Sequence, residues 1–205
     1  MSECVIYDFE TLSQDTRNGV VLSFAITQYT EKRFFEVPYT FEELVATSHF
    51  IKFDVSEQVK KYGRKIDKST VDWWAQQGDE AKKQLAPSPE DRSISELFDF
   101  IDERITNRKN IRKAFTRGNT FDAIFLECLM KDIGKPDPFH WSTIRDTRSM
   151  IEGMTFGLDI SNSFVPTELQ KNFIKHDPRA DVAMDIMRMQ TLAQAFFAPE
   201  SNPFQ

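Results

Sequence analysis

Hydrophobic and polar positions alternate with a two-residue period at the start of the chain. Val5-Ile6-Tyr7-Asp8-Phe9-Glu10-Thr11 is read as a first strand in which Ile6, Asp8 and Glu10 share one face. From Gly19 to Thr30, Val20, Leu22, Phe24 and Ile26 alternate with Val21, Ser23, Ala25 and Thr27. This predicts a second strand, buried on one side and partly on the other, that pairs antiparallel with the first as a hairpin. Arg33 to Tyr39 offers a third strand, and Phe41 to Phe53 fits either a short helix or another extended segment.

The period then lengthens. Ser69, with Asp72 three residues on, resembles a capping box that opens a helix through Val71, Trp73, Trp74 and Gln77. Ala81 to Leu85 predicts a short helical turn stopped by Pro87 and Pro89. After Ser93, the positions Ile94, Leu97, Phe98, Ile101 and Ile105 recur at helical spacing. Ala114-Phe115-Thr116 predicts a strand ending at Gly118, Phe121 to Ile133 a helix, and Ser142 to Asp146 a further strand. A helical turn and a glycine-containing loop follow to Phe164. Asp177-Pro178 opens the last and longest helix, which runs through Val182, Met184, Met187 and Leu192 to about Phe197. Strands first, then alternating helices and strands, predict an α/β fold with a mixed sheet flanked by helices.

With 205 residues, 40% hydrophobic and 28% charged, the chain has the composition of one globular domain. We expect residues 1–198 to form it and residues 199–205 to be a C-terminal tail. A net charge of −6 argues against a protein that coats long stretches of phosphate backbone, but not against one that grips a nucleic-acid end through bound metal ions. Met1-Ser2-Glu3 lacks the basic start of a signal peptide, and no apolar run reaches membrane-spanning length. A cytoplasmic protein with no membrane partner is therefore expected. Cys4 and Cys128 lie in apolar patterns and read as buried free thiols.

The chemistry begins in the first strand. Asp8 and Glu10 stand about 6.6 Å apart along one strand face, close enough to serve one site. Two like charges on an otherwise apolar strand need either solvent or a cation, so a solvated face and a divalent metal site both satisfy this strand alone. Arg117-Gly118-Asn119-Thr120-Phe121-Asp122 places another acid at the start of a helix directly after a strand. His176-Asp177-Pro178-Arg179-Ala180-Asp181 places a histidine before the last helix and an acid in its first turn. Singly, Asp122 and Asp181 also suit the positive end of a helix dipole. His49 and His140 lack such a context.

In order, Asp-x-Glu, Asn-x-Phe-Asp and His-x-x-x-x-Asp resemble the motif set of the DEDDh 3′-5′ exonuclease superfamily, also called DnaQ-like. Within it the chain looks most like phage exonuclease A and related bacterial 3′-5′ exoribonucleases, through Ser69 to Trp74 and Arg117 to Asp122 as well. The resemblance implies a ribonuclease-H-like fold with a central mixed sheet of about five strands. It implies that Asp8, Glu10, Asp122 and Asp181 hold two Mg²⁺ or Mn²⁺ ions, with Asp8 bridging both. Neutral His176 would then take a proton from the nucleophilic water. Hard ions prefer carboxylate oxygen, and two of them clamp the attacking and leaving oxygens of a phosphodiester. Histidine suits the base because its ordinary pKa lies near neutrality.

Substrate contacts are expected from Phe9 and Thr11 beside the terminal nucleotide, from Asn119, and from Arg117, Arg145, Arg148, Lys175 and Arg179 at phosphates. Of Trp73 and Trp74, either one lies in the core while the other is a candidate to stack on a base, or both are packing residues. Asp146 is a candidate to orient an arginine, and Asp185 a spare acid or a helix-paired one. The expected partners are single-stranded DNA or RNA 3′ ends, cut to nucleoside 5′-monophosphates. The phage resemblance favours DNA slightly and a host cytoplasm as the setting, whereas the bacterial relatives favour RNA 3′ ends or overhangs. A non-catalytic nucleic-acid-binding module is the competing class. Monomer and dimer both stay open.

Overall fold

A computed structural model of the chain describes residues 3–169, 173 and 175–197; the predicted tail at 199–205 lies outside the described residues. Strand β1 (Glu3–Thr11) pairs antiparallel with β2 (Val21–Thr30), so that Asp8 faces Ala25 and Glu10 faces Ser23 across the ladder. Between Glu10 and Thr11 the register shifts, which bends the strand where the acids end.

Helix α1 (Arg33–Glu36) and helix α2 (Phe41–Thr47) precede β3 (His49–Lys52), which pairs with β2. The segment 41–53 thus holds both structures that its pattern allowed. Arg33 to Tyr39 is not the strand it was predicted to be. Both edges of β2 are already taken, by β1 and β3, and the Tyr39 backbone bonds instead to the Gln190 side chain, at 2.9 and 3.0 Å. Phe34 stacks on Tyr29.

Then come α3 (Val55–Tyr62), α4 (Lys68–Ala75), α5 (Asp79–Lys82) with a tight turn at Lys83–Leu85, and α6 (Leu97–Arg104). Helix α4 starts before Ser69, so Ser69 is no cap. Asp72 pairs with Lys68 one turn back, and the Asp67 carboxylate ahead of the helix accepts from Ser13 Oγ and Gln14 N. Ser93 and Glu96 do form a full capping box. Parallel strands β4 (Ile111–Thr116) and β5 (Ile144–Asp146) extend the sheet beyond β1 to the order β3-β2-β1-β4-β5. Between and after them run α7 (Asp122–Asp132), α8 (Thr147–Met154) and α9 (Pro178–Phe197). This is the ribonuclease-H-like arrangement expected: five mixed strands with helices on both faces.

The pleat of β1 sorts its side chains. Cys4 and Ile6 pack under α9 with Tyr29, Phe115 and Ile151. Val5, Tyr7 and Phe9 pack on the other face with Leu97 and Ile101 of α6 and Phe125 and Leu129 of α7. Each fully buried side chain of this kind contributes about 1.5–3 kcal/mol. A third cluster, Leu12, Val20, Leu22, Trp74 and Ala81, closes the end of the sheet where β1 terminates. Neither cysteine forms a disulfide; Cys4 is buried and Cys128 half-buried. Among the described residues, no helix is long and apolar enough to cross a membrane.

Candidate active site

Asp8 and Glu10 extend the α9 face of β1 past the point where apolar packing stops. Asp122 reaches them from the first position of α7, anchored by the Phe9 amide, which donates to Asp122 Oδ1 at 3.2 Å. Asp181, in the first turn of α9, accepts from the backbone N–H of His176 through Oδ2 at 2.9 Å. Ligand atoms of Glu10, His176 and Asp181 lie within 4.8 Å of one another. His176 Nδ1 stands 4.0 Å from Glu10 Oε1. The five motif residues, drawn from three distant segments, therefore meet at the end of β1.

His176 holds a left-handed backbone, φ +67°, which costs a non-glycine residue about 1–2 kcal/mol. That conformation aims its amide at Asp181, and its ring packs against a pair of touching tryptophans. The Trp73 ring lies edge to face at 4.8 Å between centroids, and that of Trp74 at 5.9 Å.

The electrostatics are those of crowded acids. Burial and the surrounding carboxylates push Asp8 and Glu10 well above the ordinary carboxylate range. Asp122 and Asp181 are each pushed up to about 7, by burial first, with Asp185 adding to the rise and the hydrogen bonds from Phe9 and His176 opposing it. Among the described residues no lysine or arginine forms an ion pair with any of the four; Arg148 comes near enough to Asp122 to lower it. Burial, and then Lys175, hold the His176 imidazole below its usual pKa, so it is neutral at pH 7. An uncompensated cluster of oxygen donors fits hard divalent cations such as Mg²⁺ or Mn²⁺, which supply the missing positive charge.

This predicts an unusual pH dependence. A carboxyl raised to about 7 keeps its proton in the folded state while the unfolded chain, near its ordinary value, has lost it. Stability of the metal-free protein therefore falls as pH rises from about 4 through about 7. Thermal melts in chelator should show a lower Tm at pH 8 than at pH 5.5, and millimolar Mg²⁺ should raise the pH 8 value. Equal melting at both pH values would contradict the cluster.

Other predicted contacts are sorted by the fold. Phe9 is a correction: its ring is on the opposite face of the sheet, 4.7 Å from Phe24, because alternate strand residues point to opposite sides. Thr11 is also turned inward, its hydroxyl donating to Ser13 O at 2.8 Å. Trp74 is the core member of its pair, 1% exposed, with Nε1 donating to Thr11 O at 2.9 Å, while Trp73 is exposed. Arg117 is not free for phosphate. Its guanidinium is held by Asp185 Oδ1 at 2.7 Å, by Asn162 and by Ser163. Asp185 is paired rather than solvated, since Arg188 shares it at 2.6 Å.

Asp146 caps α8 through the Arg148 amide and the Ser149 hydroxyl instead of orienting a guanidinium. Arg145 Nη1 donates to Ser142 O and Ile144 O, and Arg179 pairs with Asp177. Asn119, Arg145, Arg148 and Lys175 are exposed. Sequence reasoning missed Gln84, whose side chain bridges Ser23 and the His176 carbonyl. Nothing local marks it, because the contact spans 92 residues.

Comparison with known proteins shows the family and the fold. The model of the 3′-5′ exoribonuclease Rv2179c-like domain matches residues 3–192. The exodeoxyribonuclease of Enterobacteria phage T4 is 32% identical over 219 residues, covering 97% of this chain and 92% of that protein. The zinc-bound complex of E. coli exonuclease I with single-stranded DNA superposes with a TM-score of 0.60 at 16% identity, over 95% of this chain. The complex of the same enzyme with a labelled oligonucleotide gives 0.59. The chain spans 41% of the length of exonuclease I in both, so that likeness concerns the fold. With the family model covering nearly the whole chain and a relative 32% identical over nearly its full length, this chain belongs to the 3′-5′ exoribonuclease Rv2179c-like domain family and is a 3′-5′ exonuclease.

Proposed function

We propose that residues 1–198 act as one metal-dependent exonuclease domain that removes nucleoside 5′-monophosphates from single-stranded 3′ ends, with DNA preferred slightly over RNA. The carrying observation is the convergence of Asp8, Glu10, Asp122, Asp181 and a neutral His176 at the end of β1. A binding module has no use for four crowded carboxylates whose pKa values burial and neighbouring acids raise. Asp8, Glu10, Asp122 and Asp181 would hold Mg²⁺ or Mn²⁺, with two ions per site, and when bound these would supply charge stabilisation to the attacking and leaving oxygens.

The chain's own residues do the rest. His176 receives the proton of the attacking water on Nδ1, the nitrogen turned towards Glu10. The water oxygen bonds to phosphorus, the bond to the 3′ oxygen breaks, and solvent returns a proton to that oxygen. Asp181 fixes the histidine backbone. Arg148, exposed and beside Asp122, is placed to meet a phosphate oxygen. Exposed Trp73, against the histidine ring, offers a base-stacking wall. Asn119 and Arg145 border an adjoining groove with Ser149 and Met150.

The DNA preference rests on the T4 relative, an exodeoxyribonuclease related over nearly its full length. The family description names exoribonucleases and supports RNA ends as the second reading. Matched 5′-labelled DNA and RNA oligomers, single-stranded and with 3′ overhangs, digested side by side with Mg²⁺ or Mn²⁺, decide between them. Stepwise shortening from the 3′ end, faster on DNA and absent in chelator, is the expected result. Faster loss of RNA reverses the preference, and equal cleavage in chelator removes the metal mechanism.

A further inference from the structure

His176 is held from outside its own loop by a circuit of contacts that returns to the active-site acids. Ser23 stands directly across the hairpin from Glu10, on the same face of the sheet. Its hydroxyl donates to Gln84 Oε1 at 2.6 Å. Gln84 Nε2 donates in turn to the carbonyl oxygen of His176. The circuit closes where His176 Nδ1 faces Glu10 Oε1 at 4.0 Å. The glutamine amide is used at both ends, with its oxygen accepting and its nitrogen donating, a pairing that neither a carboxylate nor a shorter amide reproduces.

The backbone it grips needs such a hold. A left-handed histidine persists only where its surroundings define it. Its N–H is taken by Asp181 and its C=O by Gln84, so the peptide groups on both sides of the residue are fixed. Only the first of these contacts comes from α9. The second comes from the turn at Lys83–Leu85, after the α4 helix that supplies Trp73 and Trp74, and is tied to β2 through Ser23.

We propose that Gln84, oriented by Ser23, is a positioning residue for His176. It holds the left-handed histidine so that the imidazole stands beside Glu10, and it acts through the histidine rather than on the substrate. The inference rests on the proposed function in one respect, that His176 is the group receiving the proton.

The test uses Gln84→Ala and Gln84→Glu, the latter keeping length and volume while removing the donor. Both should lower kcat about 10- to 100-fold, with KM for a single-stranded oligonucleotide within about twofold of the original. Ser23→Ala, which frees the far end of the glutamine, should lower kcat less. In a His176→Ala background, Gln84→Ala should add no further loss, because its effect passes through the missing ring. Amide exchange supplies a readout that needs no activity. Exchange at His176 and its neighbours should accelerate at least about tenfold in Gln84→Ala, with β1 and β2 amides unchanged. Losses that multiply in the double variant, a rise in KM that accounts for the whole effect, or unaltered exchange at His176 would each overturn the proposal. If the unaltered protein cleaves no oligonucleotide, the proposed function fails while the exchange measurement still decides whether the clamp exists.

Discussion

Asp8→Asn should lower kcat by at least about 10⁴-fold, equivalent to roughly 5.4 kcal/mol of transition-state stabilisation. The substitution keeps the shape of the side chain and removes one charge from the centre of the cluster, where Glu10, Asp122, Asp181 and Asp185 all act on it. The same change should raise the Tm of the metal-free protein, because one of the mutually repelling acids is gone. Opposite movements of activity and apo-stability are the signature of a site built for a bound cation, since a carboxylate that served packing would lose both together. Single-turnover digestion of a labelled oligonucleotide in saturating Mg²⁺, beside a melt in chelator, measures the pair. Residual activity above about 1% of the original would place the essential charge elsewhere.

The largest effect on stability is expected one turn further along α9. Asp185 is 2% exposed and shared by two guanidinium groups, Arg117 at 2.7 Å and Arg188 at 2.6 Å, with Thr147 Oγ1 donating to its other oxygen at 2.6 Å. Removing it leaves Arg188, itself 5% exposed, without its counter-charge. Breaking a buried pair from one side costs about 3–5 kcal/mol, so Asp185→Ala should lower Tm by roughly 6–20 °C in a chain of this length. The two arginines also carry the loop before α9: Arg117 holds Asn162 and Ser163, and Arg188 holds the Ser163 and Phe164 carbonyls. Limited proteolysis should therefore cut near residues 155–164 first in this variant. A Tm loss under about 3 °C would show that the guanidinium groups are already solvated.

Asp185 and Arg117 also show where reading the sequence stopped. Both stand beside motif residues, which made Arg117 a candidate phosphate contact and Asp185 a spare acid. Each fills the other's need, across 68 residues of chain. Phe9 was misplaced for a simpler reason. It lies between two acids in sequence, and the pleat that aligns those acids sends the residue between them to the opposite face. The segment Arg33 to Tyr39 had the local composition of a strand, but the edges of the adjoining β2 were taken and the Tyr39 backbone is paired instead by the Gln190 side chain.

What the sequence determined by itself is everything with a short repeat or an ordered motif. The two-residue period of β1 and β2, the helical spacing of α6 and α9, and the acids and histidine of three separated motifs were legible because covalent neighbours constrain them. Tertiary structure alone decided which charges remain available to a metal ion or a phosphate, and how the histidine is held. Arg148 is exposed while Arg117 is spent on Asp185, and Gln84 reaches the His176 carbonyl from a turn 92 residues away. Those outcomes depend on partners brought together by packing, and the energy of an ion pair or a hydrogen bond belongs to the pair and its burial rather than to either residue alone.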